Sequence, residues 1–81
     1  MAHTNKIENM LNSMVGNWYG EHQDIFVELN KMDVDVFEAT AEYISAGYTD
    51  KEEDEDVQIM IRLGGTESTI TIESIEEVYR G

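Results

Sequence analysis

Val34-Asp35-Val36-Phe37-Glu38-Ala39-Thr40-Ala41-Glu42-Tyr43-Ile44-Ser45-Ala46-Gly47 decides the architecture, because valine, threonine, tyrosine and isoleucine favour strands while the order of polar and apolar residues favours a helix. Placed at about 100° per residue, Val36, Phe37, Thr40, Ala41, Tyr43 and Ile44 share one side, and Asp35, Glu38, Glu42 and Ser45 share the other. A strand would mix the two classes on both of its faces. Asp35 and Glu38 stand at capping-box spacing, and Gly47 before Tyr48 suits a Schellman stop. The period therefore predicts a helix over 34–47, with Asp35, Glu38 and Glu42 in a row along its exposed face.

Upstream, Ile7, Met10, Leu11, Met14 and Val15 follow i, i+3, i+4, i+7, i+8 spacing, which predicts a helix capped near Asn5 and Glu8 and ended by Gly16. Between the two helices Ile25, Val27 and Leu29 alternate with Asp24, Phe26 and Glu28. That period predicts a strand over about 24–30, paired in a short hairpin with Trp18-Tyr19-Gly20-Glu21-His22.

Downstream, Val57–Leu63, Gly64-Gly65 and Thr66–Glu73 read as a hairpin with a two-residue turn, in which paired positions sum to 129. That register sets Ile59 opposite Ile70 and Val57 opposite Ile72 on one face, with Arg62 opposite Glu67 and Gln58 opposite Thr71 on the other. Met60 and Arg62 fall on the polar side, which a partner would cover. Ser74 and Glu77 form a Ser-x-x-Glu box that predicts a short closing helix over 74–80, with a continued strand as the alternative. The expected fold class is α+β, a small antiparallel sheet with two main helices on one face, in the order α-β(β)-α-β-β-(short α). Residues 1–81 are expected to form a single compact acidic domain.

Eighteen acidic residues against five basic ones give this 81-residue chain a formal charge of −13. Residues 1–40 and 41–81 are both acidic, so the sign belongs to the whole surface. It peaks at Asp50-Lys51-Glu52-Glu53-Asp54-Glu55-Asp56, read as a loop before the hairpin. Such a charge favours basic partners and repels nucleic acid and anionic membranes. The chain has no cysteine, hence neither a disulfide framework nor a thiolate metal site. No apolar stretch is long enough to span a membrane and no signal-peptide pattern opens the chain, so a cytoplasmic location is expected.

Chemistry-bearing motifs are sparse. The acids at 50–56 are contiguous and lack an internal glycine, unlike an EF-hand loop, so no metal is expected. Gly64-Gly65 leads into a strand and lacks the lysine and helix of a phosphate loop, which argues against a nucleotide cofactor. His22, between Glu21 and Asp24, has neither a third ligand nor a nucleophile at hand, so catalysis there is only a minor expectation. Trp18 reads as core, and no cofactor is implied.

The remaining signal is electrostatic. Asp50, Glu52, Glu53, Asp54, Glu55 and Asp56, together with Asp35, Glu38 and Glu42, form two acid rows that resemble the phosphate row of a nucleic acid. The expectation is a non-enzymatic binding protein that docks on a basic, nucleic-acid-binding surface of a partner protein and blocks it. Phage anti-restriction and anti-CRISPR inhibitors resemble it in size and charge alone. The alternative is a structural or regulatory subunit acting through a homodimer or an open sheet edge, with acidity serving solubility.

Overall fold

The computed structural model describes residues 6–16, 19–66 and 69–81, with the Tyr19 side chain excepted. The elements are α1 (Lys6–Met14), β1 (Tyr19–Gly20), α2 (His22–Lys31), β2 (Asp35–Ala39), β3 (Tyr43–Asp50), β4 (Glu55–Gly65) and β5 (Ile70–Arg80). The fold is α+β, with a wholly antiparallel sheet in the order β1-β5-β4-β3-β2. Strands β2 to β5 are a meander in which each pairs with its neighbour in sequence.

The helix α1 lies where its spacing predicts. Leu11 and Met14 are buried, Ile7 and Val15 pack partly against the same cluster, and Gly16 follows with φ of +73°. Its amide donates to the Ile72 carbonyl at 3.0 Å, which ties the end of the helix to β5. The Asn5 cap and Trp18 lie outside the described residues.

The strand predicted over 24–30 is instead α2. Its buried residues Ile25 and Leu29 stand four apart, a spacing that one helix face and one strand face both satisfy, while Val27 between them is exposed. Caps settle the matter. The Asp24 carboxylate accepts from the Glu21 amide at 3.1 Å, and a Schellman closure ends the helix: Val34 N donates to Leu29 O at 2.9 Å and Asp33 N to Asn30 O at 3.1 Å. Asp33 takes the left-handed conformation, φ +59°, that this closure requires. The predicted hairpin partner, β1, pairs with Thr71 and Ile70 of β5.

Residues 34–47 are likewise the reverse of the expectation: β2, a turn and the first part of β3. The deciding residue is Thr40. Its Oγ1 accepts from the amides of Glu42 (3.2 Å) and Tyr43 (3.1 Å), and its own amide donates to Tyr43 O at 2.8 Å. A side chain that satisfies local backbone donors in this way competes with a helix, and the β-branched and aromatic residues on either side then pair as strands. The helical periodicity misled because β2 sits at the sheet edge with all five residues exposed, so it shows no inward–outward alternation.

The C-terminal hairpin exists, in a different register. Gly64 and Gly65 stay in β4, and Thr66 and Thr69 close the turn, Thr66 N donating to Thr69 O at 2.8 Å. Ile59 faces Glu77 and not Ile70; Val57 faces Arg80 and not Ile72; Gln58 faces Tyr79; Arg62 faces Ser74. Two bulges, between Gln58 and Ile59 and between Arg62 and Leu63, shift the pairing further along the ladder. The closing helix is absent because β4 runs for eleven residues, and strand residues Ser74–Arg80 supply the backbone partners that Val57–Arg62 need.

One face of the sheet carries Ile44, Ala46 and Tyr48 of β3, Val57, Ile59, Ile61 and Leu63 of β4, and Ile70 and Ile72 of β5. These side chains form a single cluster with Leu11, Met14, Ile25, Leu29, Met32 and Val34. A fully buried Ile or Leu contributes about 1.5–3 kcal/mol, and Ile25, Leu29, Ile44 and Ile61 show no exposed surface at all.

Candidate docking surface

Because side chains alternate along a strand, the residues interleaved with the core positions point to the opposite face. The pairings place Asp35, Glu38, Tyr43, Asp56, Gln58, Met60, Arg62, Glu76 and Tyr79 there. Each of them is exposed or half-buried, in contrast to the core face. Phe37, the residue skipped by the bulge between Val36 and Glu38, lays its ring over Gly47: a Cβ added to Gly47 would lie 2.7 Å from it. Phe37 stays 58% exposed and Tyr79 56% exposed, so the open face carries two aromatic rings among carboxylates.

The two acid rows are only partly brought together. Asp35 and Glu38 lie on the open face of β2, and Glu42 lies in the turn that follows. They do not form a helical row. In the run 50–56, only residues 51–54 form the turn. Asp50 closes β3, while Glu55 and Asp56 open β4. The rows meet at a cavity of about 420 Å³ bordered by Asp33, Asp35 and Asp56, by Lys51, and by the apolar groups of Ile7, Phe37, Tyr48 and Val57.

Glu52, Glu53 and Asp54 are exposed at the tip of this turn, with Asp54 in the left-handed region at φ +54°. Asp50 is unlike them. Its side chain is only 6% exposed; Oδ1 accepts from the amides of Glu52 (3.0 Å) and Glu53 (3.3 Å), and Oδ2 pairs with Arg80 Nη1 at 2.8 Å. Arg80 also meets Glu77 and stands 3.6 Å from Glu55. Hydrogen bonds to Glu77 and Asp50 raise its pKa still further above the ordinary guanidinium value. One arginine thus gathers three carboxylates, and Asp50 holds the turn's shape from beneath.

Glu38 accepts a short hydrogen bond from the Tyr43 hydroxyl, which raises that phenol's pKa above its usual value, with smaller contributions from burial and from the nearby negative charges. Asp56 accepts from Thr49 Oγ1 at 3.3 Å, and its backbone exchanges two hydrogen bonds with Gly81.

His22, the minor catalytic candidate, donates from Nε2 to the Thr40 carbonyl at 3.1 Å and stacks on Phe26, with ring centroids 6.1 Å apart. It links α2 to the end of β2. Among the described residues no three His, Asp or Glu side chains group as a metal site, and no helix is long and apolar enough to cross a membrane.

The aromatic part of the surface was missed in the sequence. The helical period puts Phe37 on the side away from the acid row, and the Ser-x-x-Glu box puts Tyr79 in a terminal helix. The available signal was the glycine at position 47, whose missing side chain leaves room for a neighbouring ring.

No protein family profile matches the chain, and neither a curated protein nor a solved structure shows significant similarity to it.

Proposed function

We propose that the protein is a non-enzymatic acidic binding protein that docks on a basic, nucleic-acid-binding surface of a partner protein and blocks it. One observation supports this above others: the sheet face opposite the core holds exposed Phe37 and Tyr79 among Asp35, Glu38, Asp56 and Glu76. Aromatic anchors within a rim of one charge suit a complementary protein surface, where rings supply affinity and carboxylates supply steering and specificity. Asp35 and Asp56 join the turn acids Glu52, Glu53 and Asp54 at one end of that face, and there they stand in for a phosphate row. Asp50 and Glu55 serve the turn's internal pairing with Arg80.

The test is capture of partners from the native host at low and at high salt, followed by measurement of each captured protein's binding to labelled nucleic acid. A partner released by salt, whose nucleic-acid binding is lost in the presence of this protein, supports the proposal. Partners that bind equally well at both salt levels and keep their nucleic-acid binding overturn it.

A second reading, a homodimeric structural or regulatory subunit, draws support from β5. Its pairing with β1 covers only Ile70 and Thr71. The outer edge of its remaining residues, with Val78 56% exposed, has no partner strand among the described residues. Light scattering separates the two: a salt-insensitive dimer favours the second reading.

A further inference from the structure

We propose that the edge of β2 is a strand-addition site, which accepts an extended segment of the partner protein in which apolar and basic residues alternate. The proposal rests on the docking reading above and gives it an address. β2 ends the sheet, and among the described residues no strand pairs with its outer side. Such an edge offers a row of backbone donors and acceptors to an incoming chain.

Beside this edge runs a groove of about 380 Å³, walled on one side by Gln23, Phe26, Val27 and Asn30 of α2 and on the other by Val34, Asp35 and Val36. The four α2 residues stand at i, i+3, i+4 and i+7, so one helix face is turned to the groove. The groove is held at both ends: His22 is bonded to Thr40 at one, and the Leu29–Val34 closure stands at the other. Val27 is 45% exposed and Val36 is 38% exposed, so apolar surface lines an otherwise highly charged chain here.

The occupant's chemistry follows from alternation. Val36 pairs with Ala46 on the core side and so faces the groove, whereas Asp35 and Glu38 pair with Gly47 and Ser45 on the open side. An added strand places every second side chain against Phe26, Val27 and Val36, and the ones between beside Asp35 and Glu38. The first set is apolar and the second basic. A second copy of this chain is the poorer occupant, since antiparallel pairing of two β2 edges sets the Asp35 and Glu38 carboxylates of both copies on one face, in chains of charge −13 each.

The test uses the whole protein and a synthetic capped peptide of sequence Lys-Val-Lys-Val-Lys-Val-Lys. Controls are a peptide of the same composition with the lysines in one block and two versions of the alternating peptide N-methylated at opposite sets of alternate amides. Isotope-edited NMR is expected to place the shifts on the amides of residues 35–39 and on the groove face of α2. Blocking the lysines, N-methylating the ladder-facing set, or introducing Val27→Lys or Val36→Lys should each weaken binding by about tenfold or more, while the other N-methylated peptide still binds. Both substituted positions are exposed, and circular dichroism checks that each variant stays folded. Shifts centred on residues 52–56, indifferent to residue order and N-methylation, overturn the edge site while leaving salt-dependent docking intact. Absence of binding by every basic peptide at low salt overturns both.

Discussion

Replacing Asp50 tests whether the acid run has an internal architecture or is only a string of solvated charges. Asp50→Ala removes the acceptor for two turn amides, a capping-type contribution of about 1 kcal/mol. It also removes the hydrogen-bonded charge facing Arg80 at 2.8 Å, where such bonds contribute about 1.5–3 kcal/mol. Arg80 keeps Glu77 and Glu55, so it is not stranded, and the total is about 2–4 kcal/mol. A chain of this length has roughly 4–12 kcal/mol of stability, so the variant should lose a large share of it, with the melting temperature falling by roughly 10–25 °C. Asp50→Asn keeps the side-chain oxygen for the turn and loses only the charge, so it should fall between wild type and Asp50→Ala, about 1–2 kcal/mol down. Urea unfolding followed by circular dichroism reads all three proteins. Added salt should stabilise each of them by screening the excess charge, yet leave most of the gap, because a part-buried pair whose carboxylate is only 6% exposed is screened less than exposed ones. A loss below about 0.5 kcal/mol in Asp50→Ala, the range of ordinary surface changes, would refute the reasoning and return Asp50 to the solvated row.

Three further outcomes follow from the same structure. Tyr43 and Tyr48 both have raised pKa values, Tyr43 chiefly through its bond to Glu38 and Tyr48 chiefly through burial. Their contribution to stability is intact below the unfolded value near 10 and is lost as pH rises through the native values. Absorbance at 295 nm should show late-titrating phenols, and Glu38→Gln should bring Tyr43 back toward the ordinary value; an unchanged titration curve counts against the bond. Thr40→Val removes the acceptor that sets the β2–β3 turn and should cost about 1 kcal/mol in urea unfolding, whereas an unchanged midpoint would mean that the turn forms without it. Ile61→Ala, at a site with no exposed surface between Ile44 and Ile75, should cost about 2–5 kcal/mol; a loss near 1 kcal/mol would mean that the core closes over the gap.

What is legible in this sequence and what is not have a common physical origin. α1 was legible because five apolar residues spread over nine positions fit only the helical period, and Gly16 marked its end. In α2 the two residues that matter, Ile25 and Leu29, are four apart and therefore silent about period, and the decisive cap, Glu21 with Asp24, spans the two segments that the alternation makes strands. The hairpin register predicted with paired positions summing to 129 fails for a subtler reason. The displacement is six positions at Leu63, where Ile72 replaces the predicted partner at 66, and being even it keeps Ile70 and Ile72 on the core face; the two bulges then raise it to seven at Ile59 and eight at Val57. Pairing apolar with apolar cannot distinguish registers that differ by two. The acid rows were identifiable as charge, but which acids face outward was not. Asp50 looks like its neighbours in sequence, and its burial, its bonds to the turn amides and its pairing with Arg80, thirty residues away, emerge only in the fold.

The paired backbone bonds between Asp56 and Gly81 have a practical consequence. They hold Gly81, just past β5, against the start of β4, so a segment fused after Gly81 emerges next to Asp56 and the turn acids. A C-terminal affinity tag would therefore hang over one end of the proposed docking face, and a polyhistidine tag, protonated in mildly acidic buffer, would fold back on those carboxylates as a competitor. The start of α1 offers no better place, because Lys6 and Ile7 border the same turn at Lys51 and Glu52, so partner capture is best read with the tag cleaved off.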